Sequence, residues 1–160
     1  MNISNDSQQR IVDEINYVLE NMGKTANPQH SLYYFSAVHG IINRIMNFEC
    51  DPALVFAHLV LSATHTTFVG QLSSIAERPN GAKTMLELLN MLKNTLSHLA
   101  PAFQNRDDSQ IHQVLQQFAN IAYALTGNGY YLYIKGKLDL KGGEEPQESQ
   151  EGQKDTDLGG

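Results

Sequence analysis

The stretch PALVFAHLVLSATHTTFVGQLSSIA, residues 52–76, holds no Asp, Glu, Lys or Arg across its whole length. Charged residues make up 18% of the chain, so a gap of this length predicts a helix buried on every side. Its length would also suit a membrane span. Two His, Gln71, three Ser and three Thr interrupt it, however. A buried helix of a soluble protein is the expectation, and the rest of the chain is arranged around it.

Outward from that segment, hydrophobic spacing and stop signals predict four further helices. Asp51-Pro52 opens the charge-free helix with a cap and a proline in the first helical position. Asn27-Pro28 opens the preceding helix in the same way, and that helix is expected to reach about Phe48. Residues 47–51 then form a tight turn, which makes the two a central hairpin. A first helix is expected from Ser7 to Met22, with Ile11, Ile15, Val18, Leu19 and Met22 on one face and Gly23 beyond. Arg78-Pro79-Asn80-Gly81 breaks the chain. A fourth helix is expected from Ala82 to Leu99, stopped by Pro101, and a fifth from Asp107 to Leu125, whose first-turn acids suit the helix dipole. Short connections favour antiparallel neighbours, so the fold class is an all-α bundle of about five helices in one domain, residues 1–141.

After Gly129 the period changes. Leu132, Ile134, Leu138 and Leu140 are interleaved with Tyr131, Tyr133, Lys135, Lys137 and Asp139, the alternation of an extended segment. Residues 130–141 are read as an arm lying across the bundle, with strand pairing to another chain or a further helix as the alternatives. Residues 142–160 are rich in Gly, Glu and Gln and have no aromatic residue, so a disordered acidic tail is expected.

The formal charge of −6 divides unevenly. Six acids and Lys154 give the tail −5, which leaves −1 for residues 1–141. A near-neutral body offers little to neutralise phosphates, so nucleic-acid binding is not favoured. Cys50 is the sole cysteine, which excludes an intrachain disulfide and a Cys-based metal cluster. Cys50 lies in the hairpin turn before Asp51 and is read as structural. The polar opening MNISNDS lacks the pattern of a signal peptide, and the expected location is cytoplasmic. No Gly-rich phosphate loop, nucleophile elbow or Glu-x-x-His pair is present.

Three constellations could carry chemistry. Within the charge-free helix, Leu54, His58, Leu61, His65, Phe68, Leu72 and Ile75 form a heptad seam. Folding the hairpin at its turn brings His39 to the level of Leu61, between His58 and His65. The three imidazoles are read first as neutral, hydrogen-bonded core residues, then as a pH-responsive cluster or metal ligands. His58 and His65 stand about 10 Å apart along the helix axis, too far to share one ion undistorted. No cofactor is therefore expected, with a metal as the alternative. Ser62, Thr66, Gly70 and Ser74 form a ridge of small residues that admits another helix, from within the chain or from a second copy.

His39-Gly40-Ile41-Ile42-Asn43 resembles the phospho-accepting His with an amide four residues on, as in some histidine-kinase dimerisation hairpins; the resemblance implies phosphorylation at His39. Arg106 and His112, with Asp107 after the Arg, resemble the Arg…His signature of HEPN-type ribonucleases, which are helical and dimeric. That resemblance implies Arg106 and His112 acting on an RNA 2′-hydroxyl and phosphate. Each resemblance covers only these few residues. The reading preferred on all grounds is a non-enzymatic helical interaction module, an adaptor, accessory subunit or chaperone-like protein that pairs with itself. Its surface would be the hairpin face with Ser62, Thr66, Gly70 and Ser74, together with Tyr130, Tyr131 and Tyr133, whose stiff rings suit recognition.

Overall fold

A computed structural model describes residues 1–126. It contains five helices: α1, Asn5–Lys24; α2, Pro28–Met46; α3, Pro52–Ala76; α4, Gly81–Gln104; and α5, Asp108–Thr126. No strand occurs among the described residues. Residues 130–141 and 142–160, read as arm and acidic tail, lie outside them.

The caps are those that the sequence supplies. Ser4 accepts from the Ser7 amide, Asn27 from the Gln29 and His30 amides, and Asp51 from the Ala53 amide. Each satisfies donors that a helix start would otherwise leave unpaired. Gly81 opens α4 after Asn80, which takes a left-handed φ of 58°. A Cβ on Gly81 would stand 2.2 Å from the Ile75 carbonyl oxygen, so only glycine lets α4 begin this close to the end of α3.

Around the bundle, α1 packs on α2 and α4, α2 on α3, α3 on α5, and α5 on α4, which closes a ring. Connections of three to five residues make sequence neighbours antiparallel, whereas α3 and α5 run the same way. The His112 ring lies 5.4 Å from Phe56, with both near the starts of their helices. The core is one cluster to which every helix contributes. Phe35, Phe68, Phe103 and Phe118 are fully buried, and Phe35 meets Phe118 at 5.8 Å.

Three sequence expectations are corrected, the first being that α1 runs through Gly23 to Lys24 instead of ending at Met22. The fourth helix passes through Pro101 to Gln104 instead of stopping at Leu99. Pro101 is exposed while Ala102 and Phe103 are wholly buried, so burial of the residues beyond it offsets the hydrogen bond that proline removes. Nor is α3 buried on every side. Its Leu54, Ala57, Leu61, Thr64 and Phe68 face the core at 0% exposure, but Val55, Leu59 and Val69 are 41%, 37% and 49% exposed. The absence of charge on α3 therefore extends over a surface as well as a core face.

Candidate functional site: the outer face of the α2–α3 hairpin

On α3 the inner seam of Leu54, Leu61, Phe68 and Ile75 is buried, with His58, His65 and Leu72 half-buried along its edge. One residue further on, at the same spacings of four and three, run Val55, Leu59, Ser62, Thr66, Val69 and Ser73. That second stripe faces out; Ser62 is half-buried and the others are exposed. On α2 the flanking residues are Gln29, Tyr33, Ser36, Gly40 and Asn43, with Tyr33 75% exposed. Gln29, Leu32, Tyr33 and Ser36 line a shared groove with His65, Val69, Leu72 and Ser73. A second shallow depression, lined by Cys50, Pro52, Val55, Phe56 and Leu59, continues the surface toward the turn. From Pro28 to Asn43 and from Pro52 to Ala76 the hairpin carries no Asp, Glu, Lys or Arg. The result is an exposed, uncharged face two helices wide.

The small-residue ridge lies on this face. Ser62 is half-buried and Thr66, Gly70 and Ser74 are exposed, so among the described residues no helix covers the last three. A Cβ added to Gly70 would meet no atom within 4 Å. The Ser62 and Thr66 hydroxyls donate back to the Leu59 and Ser62 carbonyls at 3.3 and 3.0 Å. With their polar tips satisfied by their own helix, these side chains present small and largely apolar surfaces outward.

The three histidines sit in the seam between α2 and α3. The His39 ring lies 5.9 Å from that of His58 and 5.3 Å from that of His65, the arrangement expected from the hairpin turn. His65 also stacks on Phe35 at 6.4 Å. Burial, together with His65 and His58 nearby, pushes the His39 pKa down to about 4. Burial lowers that of His65 too, against a hydrogen bond with the Leu32 backbone. His39 Nε2 is shielded from solvent and has no hydrogen-bond partner among the described residues. A neutral ring is what such a site tolerates. Among the described residues no group of three His, Cys, Asp or Glu side chains is placed to hold a metal ion.

The remaining candidates are dispersed. Asn43 is exposed and His39 is half-buried, with its Nε2 turned from solvent. Arg106, at φ 50°, donates to the Ile3 carbonyl at 2.8 Å and to Asn5 Oδ1 at 2.9 Å, clamping the start of the chain to the α4–α5 turn. His112 is exposed, edge-on to Phe56. Tyr130, Tyr131 and Tyr133 lie outside the described residues. The sequence reading missed Tyr33, Val55, Leu59 and Val69. The signal for the last three is the second stripe at heptad spacing, which the absence of charge alone does not distinguish from a core face.

A second cleft, lined by Arg10, Ile41, Arg44, Phe48 and Glu49, opens at the far side of α2. Its acids, Asp6 and Glu49, are already engaged, Asp6 by the Arg10 guanidinium at 2.9 Å. Glu49 accepts from the Ser4 amide at 2.8 Å, the Ser4 hydroxyl at 3.1 Å and the Ser7 hydroxyl, and these bonds hold its carboxyl below the usual range. This network fastens the start of α1 to the hairpin turn.

Comparison with known proteins returns no match: no protein-family model, no curated protein and no solved structure aligns with the chain.

Proposed function

We propose that the chain is a non-enzymatic helical interaction module that binds protein through the outer face of its α2–α3 hairpin. The observation that carries this reading is that face: Tyr33, Val55, Leu59 and Val69 stand exposed on a surface without a formal charge. Scattered single apolar residues on a surface need no explanation, but four along one charge-free face invite one. Large stiff side chains among small ones, with charge absent from the centre, have the composition of an interface core. We place its action in the cytoplasm, without nucleic acid or membrane. α3 is long and apolar enough to cross a bilayer, yet one side of it lines the protein core, as a bundle helix does.

The catalytic alternatives draw less support. The Arg106 guanidinium is committed to Ile3 and Asn5, and His39 does not offer its Nε2 to a phosphoryl donor. Photo-crosslinking in cells tests the module reading. A photoreactive residue at position 59 or 69 is expected to give discrete protein adducts, whereas one at Asn90 or Gln113, exposed on α4 and α5, is not. Equal, diffuse labelling from all four positions would overturn it.

A further inference from the structure

We infer that the occupant of the α2–α3 face is a second copy of this chain, with α3 antiparallel to the partner's α3 across a two-fold axis between Ser62 and Thr66. This rests on the interaction-module reading and names its partner.

Charge argues first. A face with no Asp, Glu, Lys or Arg gives an acidic or basic partner nothing to pair with, but meets its own copy without repulsion. Antiparallel helices also set each N-terminal dipole end beside the partner's C-terminal end. An isologous contact needs a surface complementary to itself, and the outer stripe meets that condition. In an antiparallel pair with alternating spacings of four and three, one register sets Leu59 against the partner's Val69. The same register sets Ser62 against the partner's Thr66 and Val55 against the partner's Ser73. Both exposed branched side chains nearest the centre are then covered, and the small residues lie where the axes come closest. Tyr33, which shares a groove with Val69, comes beside the partner's Leu59 and caps the edge of the contact.

The extent suffices. Twenty-five residues of α3 span about 37 Å and the uncharged stretch of α2, residues 28–43, about 24 Å, so two helices about 9 Å apart give a face of roughly 550 Å² per copy. A biological interface should clear about 1,000 Å² in total over both partners, which this face does.

Sedimentation velocity of the full chain tests the inference, because all the residues changed are exposed and folding can be checked by circular dichroism. The wild-type chain is expected at twice its 17.8 kDa mass at micromolar concentration. Leu59→Arg and Val69→Glu are each expected to weaken the dimer by at least about tenfold, since each desolvates a charge against an apolar neighbour. The register makes a sharper demand. L59R mixed with V69E should pair one with the other, and the double variant should dimerise with itself, because Arg and Glu then face each other across the axis. A monomer at all concentrations, or a dimer indifferent to both single changes, would overturn the inference. A dimer weakened by each change but not restored in the mixture would overturn the register. Discrete crosslinks to a different protein from a monomeric chain would sink the self-pairing and leave the module reading standing. Binding of the monomer to neutral phosphatidylcholine vesicles, lost in L59R, would overturn both.

Discussion

His39 is the residue on which pH acts. Its pKa is about 4 in the folded chain against 6.5 for an unburdened imidazole. Above pH 6.5 the ring is neutral in both states and contributes no pH dependence. As pH falls from 6.5 toward 4, the unfolded chain takes up a proton that the folded chain refuses, so stability is lost across that window. The shift corresponds to about 3 kcal/mol, discounted to about 1–2 kcal/mol because the ring is only half-buried. The urea midpoint of the wild type should therefore drop between pH 7 and pH 4.5, and His39→Leu should flatten part of that slope. An unchanged slope would contradict the assignment. Burial lowers His65 in the same direction, so the variant should leave some slope behind. Arg106 supplies a second test. Arg106→Ala loses the bonds to Ile3 and Asn5 and keeps the positive φ, so thermal unfolding should register a loss of about 1–3 kcal/mol. Arg106→Gly relieves the backbone but not the clamp and should lose less. Placing three imidazoles together needed only the hairpin turn and the heptad count, whereas the role of Arg106 depended on a contact across a hundred residues that no local pattern encodes.

At the scale of the element, glycine separates two kinds of position. Gly81→Ala would drive a methyl against the Ile75 and Ala76 carbonyls, at 2.2 and 2.8 Å, and the loss should exceed about 2 kcal/mol in urea denaturation. Gly70→Ala has open space in mid-helix and should stabilise the isolated chain by about 0.5–1 kcal/mol. A Gly81→Ala chain as stable as the wild type would contradict the described α3–α4 junction. Helix starts were readable because Asn27-Pro28 and Asp51-Pro52 are strong local signals. The end of α4 was not, because Phe103 and Ala102 override Pro101 through burial that only the assembled bundle provides. α3 was misread for a related reason. Missing charge marks residues that need not face water, and Val55, Leu59 and Val69 satisfy that condition at an interface as well as in a core.

For the whole molecule, the five-helix ring accounts for the burial of each inner seam without covering the outer α3 stripe. The bundle order packs α3 against α2 and α5, and to a lesser extent α4, and leaves the stripe with Val55, Leu59 and Val69 exposed. The proposal of a binding module rests on that exposed stripe. Hydroxyl-radical footprinting tests the central claim most directly, comparing the chain in cells with the purified chain diluted until sedimentation shows a monomer. Tyr33, Leu59 and Val69 should be protected in cells, while Leu86 and Met91, exposed on α4, should react alike in both. Equal reactivity of all five residues in both settings would mean that the face stays bare, and would contradict the account.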